Sequence, residues 1–466
     1  MSDFTEFVKE LKRSGTFFDS GEPIFIARAP GRLDLMGGND DYTGGLVFEA
    51  TIREATWSAA QAREDNRIIF YNPQMRHSGW KDRVEFDLDQ LTDDETVLAL
   101  VNRDPEATWT AYVLSTIYWL KKQYPREINH GVQVCIASEV PLNKGVSSSA
   151  AVEVAVMKSA ALVYGFDIIG TALAEACQWA ENVIARSACG IMDQITSVLG
   201  DEGYVLPLVC QPCIPEPLIR LPEPLQCWAI DSGVSHCVSG IEYEAARAAA
   251  FMGYKLICQW ENLPTLRDDS GAVPRYTDPR WNGYLANVTP SLFRAKYEAR
   301  LPETLSGAEY LALAGEHVDP FTQVYPDHPY RVRANTRYAV EENARVQLFS
   351  ELSRGAALHG VARSFELMGD LMYQSHWAYT ECGLGSEATD RLVALVREEG
   401  VANGLFGAKI TGGGAGGTVA VLGLKTAEPA FRRVVQRYAE ERGFEPYVFE
   451  GSSMGADRYD KTVVED

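Results

Sequence analysis

Residues 141–155 read PLNKGVSSSAAVEVA, and they decide how the chain on either side is organised. Upstream, Val132 to Ala137 (VQVCIA) has the pattern of a strand ending at the loop EVPLNKG. Downstream, Ser148 to Tyr164 (SSAAVEVAVMKSAALVY) is apolar on nearly every side, as a buried helix is. A strand, a loop carrying Lys144 and Gly145, and a helix opened by Ser147, Ser148 and Ser149 therefore follow one another. The first N–H groups of a helix are unpaired and lie at the positive end of its dipole, so they attract anions. The serine hydroxyls add donors, and one of them could also ligate a divalent cation. Serine is equally a preferred helix cap that needs no ligand. One cap needs one serine, so three beside a glycine and a lysine favour a phosphate. The segment is not a Walker P-loop, because GxxxxGK[ST] is absent.

The chain has 466 residues, 46% hydrophobic and 23% charged, which is ordinary for a globular protein and enough for two or three domains. Its formal charge of −21 argues against the basic face that nucleic acid or an anionic membrane needs. A local amide-lined pocket can still bind a nucleotide in so acidic a chain. The start, MSDFTEFVKELKRSG, predicts a short amphipathic helix without a signal peptide's apolar core. No run approaches the ~20 apolar residues of a membrane span. A cytoplasmic enzyme is expected, a monomer or homodimer with small-molecule partners and neither nucleic acid nor membrane. Nine scattered cysteines fit reduced thiols better than a disulfide framework. Cys210 and Cys213 form one CxxC without a second pair, a weak zinc signal. His77, His130, His236, His317, His328, His359 and His376 stand apart with no HxxxH spacing, so none reads as a metal ligand.

Working outward, Ile24 to Arg28 (IFIAR) predicts a strand leading into the opening loop, and Gly45 to Ile52 (GLVFEATI) predicts the returning strand. Between them, LMGGNDDYTGG sets Asp40 and Asp41 between two pairs of glycines. Such a bend brings backbone close to a ligand, and an acid in it can grip hydroxyls. On the other side, Thr171 to Ala185 predicts a second helix, and AENVIARSACGIMDQ carries Glu181 and Asp193. Asp193 follows the small, close-packing CGIM run, a setting suited to presenting a carboxylate in a cleft, and Glu181 is available for a metal. Taken alone, either acid reads as solvated or capping. The proline-rich QPCIPEPLIRLPEPL (211–225) is the expected domain boundary, giving domains 1–222 and 223–466. Beyond it, CWAIDSG predicts a strand and IEYEAARAAAFMGYKLICQW a long helix, followed by an irregular insertion near 265–335. Leu405 to Ile410 and Thr418 to Leu422 predict short strands around KITGGGAGG. Gly412, Gly414 and Gly417 satisfy GxGxxG, but a Rossmann turn must open a helix and here strand-like TVAVL follows, which rejects dinucleotide binding. The loop, with Gly412, Gly413 and Gly414 at its centre, reads either as a flexible hairpin or as a lid closing over phosphate or substrate. Strands and helices alternate unevenly in two halves, an α+β pattern.

Taken together, ARAPGRLDLMGGNDDYTGG, PLNKGVSSSAA and KITGGGAGG resemble, in order and across nearly the whole chain, the three motifs of the GHMP kinases. That resemblance implies a two-domain GHMP kinase fold: a ribosomal S5-like N-terminal domain, a ferredoxin-like C-terminal domain and an active-site cleft between them. CGIMDQ and the DYTGG ending resemble the sugar 1-kinases of the galactokinase branch. MGG before DY, with AFMGYK, RLPETL, CGLGSEATDRLV and FEGSS, is similar to the plant-type L-arabinokinases. The resemblance implies ATP and Mg²⁺ as cofactors and a monosaccharide as acceptor. It makes Asp193 the acid that takes the proton of the anomeric hydroxyl, and Arg32 the arginine that pairs with it and steadies the transferring phosphoryl. Glu181 and Ser148 match the Mg²⁺ ligands. Lys144, Gly145, Val146, Ser147, Ser148, Ser149 and Ala150 match the cradle of the ATP phosphates, and Trp109 and Tyr112 resemble aromatics around the adenine. Asp41 matches the acid that holds sugar hydroxyls at C3 and C4, with Gly190 and Tyr243 as further sugar contacts. Asn143 stands where the family has a glycine.

Galactokinases carry Glu-His where this chain has Gly38 and Asn39, and those side chains reach the sugar's hydroxymethyl group. L-Arabinopyranose has the ring stereochemistry of D-galactopyranose without that group. Losing both partners while keeping Asp41 points to transfer of the γ-phosphoryl group to the anomeric hydroxyl of L-arabinose, giving L-arabinose 1-phosphate and ADP. Gly38 is expected to make room instead of a clash, so galactose could still turn over slowly. The alternatives are a galactokinase or other aldose 1-kinase with an altered pocket, and a sensor that binds ATP and sugar without turnover. Gly37 and Gly38 could also simply serve a tight turn.

Overall fold

The computed structural model describes residues 2–235, 241–271, 273–359, 362–459 and 462–464; His236 and the side chain of His359 lie outside the described residues. Helix α1 (Ser2–Arg13) precedes β1 (Ile24–Met36), which runs on through the stretch expected to be a loop. Its partner β2 (Leu46–Ala62) returns antiparallel, with register breaks between Pro30 and Arg32 and between Asp34 and Met36. Proline has no N–H for the ladder. At the first break the Arg32 N–H donates instead to the Val146 carbonyl at 3.1 Å. Strands β3 (Arg67–Tyr71), β4 (Arg83–Asp87) and β5 (Val132–Ser138) extend the sheet in the order β1-β2-β5-β3-β4, with β3 and β5 parallel.

Helices α2 (Thr110–Gln123), α3 (Ser148–Val163), α4 (Gly170–Val183) and α5 (Met192–Leu199) share one core with this sheet, including Ile117, Val134, Val154, Met157, Leu173 and Ile195. Each such side chain, fully buried, contributes roughly 1.5–3 kcal/mol. Helix α3 is central and buried on almost every side, and its alanines allow neighbours to approach closely. Two of its buried polar groups find partners across the core: Lys158 meets Asp457 at 2.7 Å, and the Ser159 and Ser58 hydroxyls share a hydrogen bond. Strand β6 (Tyr204–Val209) pairs with the first residues of β2, where β5 pairs with the last.

A second sheet is antiparallel throughout and holds β7 (Leu225–Asp231), β8 (Leu405–Ile410), β9 (Thr418–Leu424) and β10 (Val448–Glu450) in the order β8-β9-β7-β10. Before β8 come helices α6 (Ile241–Trp260), α7 (Val332–His359), α8 (Ala362–Cys382) and α9 (Glu387–Glu399), and α10 (Glu428–Arg442) follows β9. Residues of α9 and α10 pack with Trp228 and Ile230 of β7, Trp228 stacking on Phe431. Another core unites Phe349 of α7, Phe365 and Leu371 of α8 and Phe406 of β8 with Leu33, Leu35 and Phe48 of the first sheet. The two sheets are thus joined by one body of apolar side chains. Strand β11 (Thr462–Val464) pairs with β1.

The stretch near 265–335 holds only short elements joined by turns. Leu266–Asp268 pairs with Arg275–Thr277, and Trp281, Phe293, Tyr297, Leu301, Tyr310 and Tyr330 pack against α6. Its apolar residues are large aromatics spaced without a helical or strand period, so their partner face was invisible in one dimension. No described helix is long and apolar enough to cross a membrane.

Candidate active site

The loop before α3 bends through three residues with left-handed backbone, Asn143 (φ 59), Gly145 (φ 70) and Ser147 (φ 60). Asparagine tolerates that conformation better than most side chains, which keeps the turn where a glycine was expected. Ser147 stands at the N-cap of α3, and its hydroxyl is buried with no partner among the described residues. Together with Asn143, Gly145, Ser148 and Ser149 it lines a cavity of about 460 Å³. An orphaned buried donor beside the free N–H groups of a 16-residue helix suits a phosphate. Val146 and Ala150 are buried behind this wall. Lys144 is turned away from the cavity: its ammonium pairs with Asp231 at the end of β7 (2.7 Å), and its carbonyl accepts the Thr418 hydroxyl (2.8 Å). Gly31 is needed for the close approach of β1 to the loop, since a Cβ there would lie 2.6 Å from the Val146 oxygen.

Arg32 joins this loop to the acid on α5. Its Nε and Nη2 reach Asp193 Oδ1 at 2.8 and 2.7 Å, and its Nη1 donates to the Gly145 carbonyl at 2.6 Å. The guanidinium is 3% exposed, with Glu49 behind it at 3.6 Å. Burial opposes its charge, yet the carboxylates of Asp193, Glu49 and Asp34 hold it above the ordinary arginine value. Asp193 sits in the first turn of α5 and opens onto the cavity.

Asp41 lies across from this pair. Its carboxylate accepts the N–H of Tyr42 at 2.8 Å and that of Met192, and it rests against Gly190, where a Cβ would come 1.9 Å from an Asp41 oxygen. Gly190 is therefore required by the carboxylate's position. Burial, then the nearby charge of Asp193, push Asp41 up to about 7 against the pull of Arg247. Tyr243 from α6 and Asn39 line the same cavity. Asn39 donates its N–H to the Tyr379 hydroxyl (3.0 Å) and its side-chain amide to the Gly413 carbonyl (3.3 Å). The Tyr379 hydroxyl in turn donates to the Gly412 carbonyl at 2.8 Å. The glycine-rich loop is thus pinned to the turn after β1 that carries Asn39. Gly413 faces the cavity, while Gly412 packs on the Gly145 carbonyl and Gly414 on Leu384. Gly38 does not open the pocket as expected, because the Tyr379 hydroxyl occupies the place a Cβ would take, 1.5 Å away.

Glu181 faces the cavity beside Ser148 and Ser149. Gln194 donates to it at 2.6 Å, and Ser149, Cys189 and Ser187 bond to it as well. Burial and the charge of Asp193 push it up to about 7. Behind it, buried Glu153 is held well above the usual carboxylate range by burial and by Glu181. A carboxylate and hydroxyls beside an anion cradle form an all-oxygen donor set that fits Mg²⁺. Of the three serines that open α3, the one whose hydroxyl bonds to Glu181 is Ser149, with Ser148 on the same wall.

The same cavity is lined by Trp109 and Tyr112, and also by Asn72, Met75, Trp80 and Asn102. Trp109 is fixed by its indole N–H to the Lys81 carbonyl at 2.9 Å. Flat apolar walls with amide edges suit a heteroaromatic ring. The last four residues escaped the sequence reading because they come from connections with no motif of their own.

Residues 111–201 match the family described as GHMP kinases N terminal domain, 15–62 the galactokinase galactose-binding signature, and 354–440 GHMP kinases C terminal. The chain is 35% identical to the L-arabinokinase of Arabidopsis thaliana over 97% of its own length, and spans about half of that relative (48%). It is 30% identical to the galactokinase of Chloroflexus aggregans, with 90% of each chain covered. Among solved structures, Lactococcus lactis galactokinase complexed with galactose has a TM-score of 0.75 at 22% identity, covering 98% of this chain and 99% of that one. A mevalonate kinase has a TM-score of 0.57 at 14% identity, covering 92% and 99%. Both share the fold described above.

Proposed function

Because the chain belongs to the GHMP kinase family, as a sugar kinase of the galactokinase and arabinokinase type, we propose that it transfers the γ-phosphoryl group of ATP to the anomeric hydroxyl of L-arabinose, giving L-arabinose 1-phosphate and ADP. The observation that carries this reading is the bridge that Arg32 makes between Asp193 and the Gly145 carbonyl. One cation links a proton acceptor to a phosphate cradle, so a hydroxyl resting on Asp193 stands next to the bound phosphates.

In this reading Asp193 takes the proton of the anomeric hydroxyl. That hydroxyl is more acidic than an ordinary alcohol, so an aspartate suffices as base. Arg32 and the N–H groups that open α3 offset charge on the transferring group, and phosphoryl transfer asks for little beyond such positioning and neutralisation. Ser147 and its neighbours hold the phosphates, with Lys144 clamping the loop through Asp231. Glu181 with Ser148 or Ser149 would hold Mg²⁺, which when bound neutralises phosphate charge. Asp41 accepts ring hydroxyls, Gly190 gives that carboxylate its place, and Tyr243 and Asn39 shape the sugar end. Trp80, Trp109, Tyr112 and Asn102 enclose the adenine.

The small residue at Gly38 and the arabinokinase relative favour the pentose. The match of 15–62 to the galactose-binding signature favours the second reading, a galactokinase. The deciding measurement is ADP release from ATP and Mg²⁺ across a panel of aldoses. The expected order is L-arabinose first by kcat/KM, with D-galactose slower. Galactose first would establish the galactokinase reading, and binding of both ligands without turnover of any aldose would make the protein a sensor.

A further inference from the structure

We propose that Tyr379 of α8 determines which aldoses the pocket accepts, by filling the space over Gly38 and fixing the wall formed by Asn39 and Gly413. The proposal rests on the aldose-kinase reading above. Tyr379 is 0% exposed, so its hydroxyl must be satisfied inside the protein. It accepts the Asn39 N–H from the first half of the chain and donates to the Gly412 carbonyl from the second. The ring is held in turn by the edge of Tyr338 at 5.3 Å and by the Lys409 ammonium over its face at 5.3 Å. Lys409 is itself paired with buried Asp34 on β1. The phenol therefore has one place to be.

Gly38 and Tyr379 form a matched pair. A Cβ at Gly38 would lie 1.5 Å from the Tyr379 hydroxyl oxygen and 2.7 Å from the ring carbon that bears it. Either a side chain at position 38 or this phenol can stand there, not both. With the phenol present, Asn39 has its amide nitrogen committed to the Gly413 carbonyl, and both residues face the cavity. A substituent reaching past Asn39 meets a buried hydroxyl that already has both partners. An aldose ring without an exocyclic carbon makes no such demand, so discrimination arises from occupied space as much as from missing partners.

The test is Tyr379→Phe, which keeps the ring and removes both hydrogen bonds, alongside Gly38→Ala and the double variant. Kinetic constants for L-arabinose and D-galactose are read with thermal unfolding as the folding control. Tyr379→Phe is expected to raise the KM for L-arabinose and to shift the galactose-to-arabinose ratio of kcat/KM toward galactose by about tenfold. Loss of fold alone would lower both sugars equally and leave the ratio unchanged. Gly38→Ala is expected to lose most activity, and the double variant to exceed it, because the two changes are coupled. An unchanged sugar ratio in folded Tyr379→Phe, or strictly additive losses, overturns the proposal. If wild type prefers galactose, the L-arabinose reading fails while the shift in ratio still reports on Tyr379. If no aldose turns over, the kinase reading fails, and the ratio of equilibrium affinities for the two aldoses tests Tyr379 with the same expected direction.

Discussion

Asp41 and Asp193 share one cavity, yet their surroundings differ. Asp41 is buried against Gly190 and pushed up to about 7, whereas Asp193 meets the Arg32 guanidinium directly. In the proposed role of Asp41, a carboxylate that gathers sugar hydroxyls accepts best when ionised, and the ionised fraction of Asp41 grows as pH rises through about 7. Sugar affinity, measured by calorimetry without nucleotide, is therefore expected to weaken as pH falls from about 8 to about 6, and Asp41→Asn to remove most of that dependence. Affinity that is flat over this window would separate Asp41 from the sugar. Asp193→Asn is expected to lower kcat by about a hundred- to ten-thousand-fold while ATP binding persists. Near-normal turnover would assign the proton to another group. Asp41, Asp193 and Arg32 were legible because each sits in a short motif rich in small residues, whereas Glu181 stood out only through the resemblance to the family. Lys144 was legible as a residue but not as a contact, since its partner Asp231 lies 87 positions away.

At the scale of elements, α3 was readable from its unbroken apolar character, and its serines marked where the helix starts. Strand β1 was not readable to its end. Proline and glycine in RAPGR signal a loop locally, but pairing with β2 and the hydrogen bond from Arg32 to Val146 carry the strand on to Met36. Local propensity yields when tertiary hydrogen bonds satisfy the backbone. At Asn143 the left-handed turn persists without the glycine because asparagine tolerates that conformation. Gly412 to Gly414 read either as a flexible hairpin or as a closing loop, and Tyr379 and Asn39 tether Gly412 and Gly413 to the turn after β1.

Across the whole molecule, the site is held between two sheets that share a core, and buried polar links cross between them. Lys409 of β8 and Asp34 of β1 are each 0% exposed and paired with one another, and the second Asp34 oxygen has no partner among the described residues. Removing one member strands the other as an uncompensated buried charge. Lys409→Met is expected to cost about 3–5 kcal/mol in urea unfolding, and Asp34→Asn added to it to recover a good part of that loss. A loss no larger in the single variant than in the double would show the pair to be incidental.

The sequence by itself determined the α+β class, the order of the three motifs, and the acids, arginine and serines that come together around one cavity. Those are properties of short stretches, in which residue type and spacing are set by what one turn or one helix end can do. Only the tertiary structure decided that Tyr379 fills the space at Gly38, that Lys144 faces Asp231, and that Trp80 and Asn102 join the cavity wall. Such contacts depend on which surfaces pack together, and a side chain's partner across a cleft leaves no trace in its neighbours along the chain.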